Sequence, residues 1–190
     1  MRLIPDIIKD SIELKNKVLN DSLLLHKIEN TVEVCVESLQ NGNSIWWCGN
    51  GGSAADAQHL AAELSGRFYF DRPPLASEAL HVNSSYLTAV ANDYSYDVIY
   101  SRYLEGCGKE GDVLIGISTS GGSTNVTNAF KTAQEKNIHT IGLTGSQLKG
   151  IADYSDIILN IPSTDTPRIQ ECHIMVGHII CEQIENKIYK

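Results

Sequence analysis

The sequence contains no Cys-x-x-Cys pair, and its five cysteines, Cys35, Cys48, Cys107, Cys172 and Cys181, are odd in number. Neither a disulfide framework nor a thiolate zinc site is indicated, and a reducing, cytoplasmic setting is expected. Clusters of Lys and Arg are also missing. With 15 basic against 23 acidic residues the formal charge is -8, which argues against the broad basic surface that a nucleic-acid backbone requires. No charged-then-apolar leader opens the chain, and no apolar run approaches the roughly 20 residues needed to span a bilayer, so a soluble protein without membrane contact is expected. No linker-like stretch divides the 190 residues, a length suited to one domain with a sizeable core.

What is present is strand-and-turn punctuation of one design, used twice. Asp112-Val113-Leu114-Ile115-Gly116-Ile117 is apolar and rich in β-branched residues, the pattern of a strand covered on both faces. It stops in Ser118-Thr119-Ser120-Gly121-Gly122-Ser123, and a helical pattern begins at Thr124. Small hydroxyl residues and glycines at a helix start form an anion site without a lysine: free N–H groups and the positive end of the helix dipole hold a phosphate. The same string also fits an ordinary capped turn, and taken alone it leaves both readings open. Ser44 to Cys48 followed by Gly49-Asn50-Gly51-Gly52-Ser53, with a helix over Ala54 to Ser65, repeats the arrangement. This second turn fails the Gly-x-Gly-x-x-Gly spacing, because Ala54 holds the third place, and it has no Gly-Lys-Ser, so dinucleotide and nucleoside-triphosphate binding are set aside.

Around these two units the chain reads in order as helices over 4–20 and 21–41, the second with an apolar stripe through Leu24, Ile28, Val32, Cys35 and Leu39. That stripe suits either packing on the same domain or an oligomer interface. Strands are expected at Glu78–Val82, Ile138–Leu143 and Asp156–Ile161, with helices at Ser84–Ala91, Tyr96–Glu105 and from Asp165 or Pro167 to Asn186. Alternation at this spacing predicts an α/β fold, a three-layer α/β/α sandwich on a five-stranded parallel sheet, with 1–41 as a helical extension before it.

Three further groups carry chemistry. His59 and Glu63, four residues apart on a helix, share one face at about 6 Å of rise, which suits a metal site, a base with its proton partner, or a plain ion pair. Asn92-Asp93 fits a turn or a pair of hydrogen-bonding groups for sugar hydroxyls. Gln170 and His178 lie among apolar residues of the last helix and call for partners. Their eight-residue separation is about 12 Å of helix, so a shared site needs long reach or two subunits.

Taken together, Cys48-Gly49-Asn50-Gly51-Gly52-Ser53, His59 with Glu63, Asn92-Asp93, Ser118 to Ser123, and Arg168-Ile169-Gln170-Glu171 with His178 resemble the phosphoheptose isomerases of the sugar-isomerase (SIS) family. The resemblance covers nearly the whole chain. It implies conversion of sedoheptulose 7-phosphate to D-glycero-D-manno-heptose 7-phosphate, an entry to bacterial surface-heptose synthesis, by a cytoplasmic homotetramer with sites at subunit interfaces. It further implies one zinc ion on His59, Glu63, Gln170 and His178; moving a proton between adjacent carbons needs a base and an acid, for which Glu63 and His178 are the candidates, with the division of protons between them left open. Asn50, Gly51, Gly52, Glu63, Asn92, Asp93, Ser118, Thr119, Ser120, Ser123 and Gln170 are the implied substrate contacts. Two positions depart from the family pattern: Pro167 stands where an acidic residue often precedes Arg-Ile-Gln, and Gly122 where Asn is often found. Rival readings are a non-catalytic SIS protein that binds sugar phosphates or the replication initiator, and a SIS isomerase for another sugar phosphate. Glu63 and His178 favour the enzyme over the first.

Overall fold

The computed structural model describes residues 2–190. Two helices, α1 (Ile4–Leu19) and α2 (Ser22–Gln40), precede β1 (Ile45–Gly49), α3 (Gly52–Ser65), β2 (Ser77–Ala79) and α4 (Ser84–Asp93). A single 3₁₀ turn over Tyr96–Val98 leads into α5 (Ile99–Cys107), then β3 (Val113–Ser118), α6 (Thr124–Glu135), β4 (His139–Thr144), a second 3₁₀ segment over Gly150–Tyr154, β5 (Ile157–Asn160) and α7 (Thr166–Tyr189). The expected sandwich is present, with local corrections. The strand expected at Glu78–Val82 is instead the three residues Ser77–Ala79, and although Leu80 N–H still reaches Trp47 O at 2.9 Å, Leu80 and His81 already turn away. Asn92 and Asp93 are the last residues of α4 rather than a turn.

All five strands are parallel, in the order β2-β1-β3-β4-β5. From β1 the chain first adds β2 on one side, then returns to place β3 on the other. That reversal makes the gap between the carboxyl ends of β1 and β3 the topological switch point, where open parallel sheets bind ligands. Register makes the consequence concrete. Gly49 pairs with Ile117, so Gly49–Ser53 and Ser118–Ser123 leave the sheet side by side.

Alternate side chains on each strand serve opposite layers. Ile45 and Trp47 of β1 and Val113, Ile115 and Ile117 of β3 join α2, α3 and α7 in one core. Cys48 and Leu114 face the other, built with Leu104 of α5 and Val126, Ala129 and Phe130 of α6. Asp112 fastens the opposite edge of the sheet by accepting from Ser44 N, Trp46 Nε1 and Lys109 N. On α1, Leu14 and Val18 are buried whereas Ile4, Ile8 and Ile12 are 74%, 55% and 53% exposed. That helix is therefore apolar on a face the chain does not cover.

Candidate active site

The turn after β3 is closed by Gly121 N–H donating to Ser118 O at 3.0 Å, with Gly121 at φ +69°, a conformation glycine adopts without steric cost. Ser118 and Ser123 hydroxyls meet at 2.9 Å across its mouth. Ser123 is the N-cap of α6, yet its hydroxyl makes no capping bond. Among the described residues the N–H groups of Ser120, Ser123 and Thr124 have no acceptor within the chain. Unpaired donors at the positive end of a 12-residue helix, ringed by the Ser118, Ser120 and Ser123 hydroxyls and by Thr119, form a cradle for an anion of phosphate size.

The turn after β1 is tied to it by a pair of amides. Asn50 Nδ2 donates to Asn125 Oδ1 at 2.8 Å, and Asn125 Nδ2 donates back to Asn50 Oδ1 at 2.9 Å. Tyr96 OH adds a third bond to Asn50 Oδ1 at 3.0 Å. Asn50, expected to meet substrate, thus has its amide engaged in holding the two turns at a fixed separation. Asn125 and Tyr96 were not marked by the sequence; their role is visible only once β1 and β3 are neighbours. Gly51 opens α3 with φ +58°. Gly52 brings the start of α3 against the Gln170 amide, since a Cβ there would lie 2.3 Å from Gln170 Nε2.

His59 and Glu63 project from α3 toward His178 on α7. His59 Nε2 is 2.9 Å from His178 Nε2 and 3.3 Å from Glu63 Oε1, and one ligand atom from each residue fits within 4.8 Å of the others. The close packing of α3 on α7 makes this possible: a Cβ on Gly177 would lie 2.3 Å from Leu60 Cδ1, so Gly177 lets the helices touch beside the two histidines. Phe68 lies against His178 with ring centroids 5.7 Å apart. His59 is half exposed and Glu63 mostly covered, which leaves the cluster open to a ligand.

The remaining expected residues divide. Gln170, two helical turns from His178, donates from Nε2 to Asp56 Oδ2 at 3.2 Å. Asp56 stands one turn before His59, and burial raises its carboxyl pKa against the opposing pull of the Gln170 hydrogen bond and the two histidines. Asp56, Pro167, Gln170, Glu171 and Ile174 line a pocket of about 270 Å³, so Pro167 faces this side of the site. Asn92 Nδ2 donates to Asp93 Oδ1 at 2.9 Å on the surface, and that bond is to each other rather than to either glycine-rich turn.

Two histidine nitrogens and a carboxylate oxygen suit zinc, which takes N and O donors at about 2.0–2.2 Å in tetrahedral sites. The spacing of the three atoms fits one such ion. The same groups without metal form a set of polar contacts, His59 to His178 and His59 to Glu63.

Comparison with known proteins agrees with this geometry. The SIS domain family profile matches residues 9–145. A phosphoheptose isomerase of Clostridium acetobutylicum is 50% identical over 182 residues, covering 96% of this chain and 93% of that protein. One from Sulfurimonas denitrificans is 49% identical over 99% of this chain and 96% of its own length. Among solved structures, a phosphoheptose isomerase from Neisseria gonorrhoeae superimposes with a TM-score of 0.90 at 41% identity, over 96% of this chain and 97% of that one. Another from Francisella tularensis gives 0.92 at 33% identity, over 96% of both chains. With the anion turn and the histidine–glutamate cluster on the same scaffold, this chain belongs to the phosphoheptose isomerase family of SIS-domain proteins.

Proposed function

We propose that the protein isomerises sedoheptulose 7-phosphate to D-glycero-D-manno-heptose 7-phosphate. The observation that carries the reading is the meeting of Glu63 and His178 through His59 on the same scaffold as an anion cradle at the switch point of the sheet. Ketose-to-aldose conversion removes a proton from C1 and delivers one to C2 through an enediolate, while the hydroxyl proton shifts from O1 to O2. Glu63 and His178 divide these transfers between them. The Ser118–Ser123 turn holds the terminal phosphate, so binding energy remote from the reacting carbons orients C1 and C2. Held by the reciprocal amide pair of Asn50 and Asn125, the two turns keep that grip in a fixed place.

His59, Glu63 and His178 would hold a zinc ion, with Gln170 reaching it as a fourth ligand by a change of its bond to Asp56 or from a neighbouring subunit. Such an ion, when bound, supplies polarisation of the substrate carbonyl. Residues 1–190 form one SIS domain in this reading, and the uncovered apolar face of α1 supports use of residues 1–41 in a cytoplasmic homotetramer. No helix among the described residues is long and apolar enough to cross a membrane.

The test is NMR of pure protein with sedoheptulose 7-phosphate, in parallel with a hexulose 6-phosphate and a pentulose 5-phosphate. Appearance of the heptose aldose alone is expected, and turnover of another ketose in its place overturns the substrate assignment. EDTA should slow turnover and added zinc restore it; unchanged rates in metal-free protein refute the metal. A fully active monomer in sedimentation refutes the tetramer.

A further inference from the structure

Arg72 and Glu185 form a buried ion pair, each side chain 1% exposed, with Arg72 Nε 2.9 Å from Glu185 Oε1. Neither belongs to the acid–base cluster. Their other contacts show what the pair joins. Arg72 Nη1 donates to Leu64 O at 2.7 Å and Gly66 O at 3.2 Å, and Nη2 to Glu63 O at 2.8 Å. The Glu63 and Leu64 carbonyls belong to the last turn of α3, whose carbonyls have no intrahelical partner and carry the negative end of its dipole, and Gly66 is its C-cap. Glu185 sits on α7, two turns beyond His178, and also accepts from Phe68 N at 3.0 Å and Tyr69 N at 2.8 Å. The guanidinium therefore grips the end of the helix that bears His59 and Glu63. The carboxylate grips the helix that bears His178 and the loop whose Phe68 lies on His178.

We propose that the Arg72–Glu185 pair is a positioning device that sets the separation of α3 and α7, and with it the alignment of His59, Glu63 and His178. The pair acts through the triad, so this inference rests on the acid–base reading of that cluster. An ordinary helix end needs only a glycine or an exposed lysine to satisfy its carbonyls. Burying two full charges instead is a costly arrangement whose best use is to fix one geometry rather than to add stability. Gly177 against Leu60 sets the distance at the level of the histidines; Arg72 and Glu185 set it at the far end, so the two helices cannot pivot about that contact. A displacement of about 1 Å at reacting groups lowers rates by on the order of 100-fold.

Glu185→Gln is the informative variant. Its amide keeps one acceptor oxygen but turns an NH₂ toward the loop N–H donors and leaves Arg72 un-neutralised. Crystal structures of wild type and Glu185→Gln should show the 2.9 Å His59–His178 separation lengthened in the variant. On sedoheptulose 7-phosphate, kcat should fall about 10–100-fold with KM within about threefold, and Arg72→Lys, which keeps charge but loses the fork, should fall less than Arg72→Met. Leu159→Ala, a core truncation in β5 remote from the triad, controls for lost stability and should leave kcat within about twofold. An unmoved His59–His178 pair, or a kcat loss no greater than that of Leu159→Ala, overturns the proposal. If wild type fails to turn over this ketose, the substrate reading falls while the crystallographic distance still decides the brace; if Arg72→Met does not fold, Glu185→Gln and Arg72→Lys decide it.

Discussion

The two ends of the site are built in opposite ways. The anion turn is one stretch of six residues, Ser118 to Ser123, that leaves a central strand and enters a helix, and its donors are backbone N–H groups and hydroxyls of neighbouring residues. The cluster of His59, Glu63 and His178 spans 119 residues of chain and exists because α3 packs on α7. The first is anchored by the sheet, and the second by a glycine contact and a buried ion pair. The difference teaches that the grip on a phosphate should withstand changes in packing that the proton-transfer geometry does not.

The largest effect that separates the two ends is expected from Glu63→Gln and His178→Ala. Each should lower kcat on the order of 10²–10⁴-fold with KM changed only a few-fold, measured by steady-state kinetics. A loss confined to KM would mean that these groups bind rather than react. Ser118→Ala should do the reverse, raising KM about 10–100-fold as one hydrogen bond to a charged group is lost while kcat holds better. If phosphate-free substrate analogues bind wild type as well as the phosphate ester does, the cradle is misassigned.

Gly177→Ala sharpens the contrast through packing. Its methyl enters the space of Leu60 and should cost about 1–3 kcal/mol in urea unfolding, with a kcat loss and an unaltered KM. An unchanged kcat would show that the helices tolerate separation.

The effect least visible at neutral pH is a slope of stability with pH, and it belongs to the helix-built end. His173 of α7 is buried with Nε2 on Thr144 O, and burial takes its pKa from 6.5 down to about 4 despite that bond. Its folded form is therefore neutral where the unfolded chain binds a proton, and stability from this source is complete above pH 6.5 and is lost as pH falls toward 4. For Glu185, burial alone raises the pKa, but the Tyr69, Phe68 and Arg72 contacts outweigh it and hold the carboxyl below its ordinary 4.5. The stability it contributes is present above that value and is lost as pH falls through the lowered folded pKa. Chemical denaturation should show stability declining by up to about 1.4 kcal/mol per pH unit from His173, and the His173→Gln variant should flatten the decline above pH 4.5.

Much of the scaffold was legible because strand, turn and helix signals are local. The apolar run Val113–Ile117, its stop in Ser-Thr-Ser-Gly-Gly-Ser and the start of α6 are all neighbours in sequence, and the structure keeps them together. The short edge strand was misplaced at Glu78–Val82 because apolar residues after Ala79 look strand-like, whereas only three residues have a partner, β1, to pair with. His59 and Glu63 were readable from helical spacing and His178 from the family resemblance, and the structure brings the three together. Asn125, Tyr96, Gly177, Arg72 and Glu185 were not singled out. Each works across a long separation, such as 113 residues between Arg72 and Glu185, and no local pattern announces a partner that far away.

The central claim is that Glu63 and His178 pass a proton between adjacent carbons of a phosphate-anchored ketose. Sedoheptulose 7-phosphate incubated with the protein in D₂O, followed by proton NMR, tests it most directly. The account predicts an aldose heptose phosphate carrying deuterium at C2, and no exchange with Glu63→Gln. No aldose from wild type, or full exchange by Glu63→Gln, would contradict it.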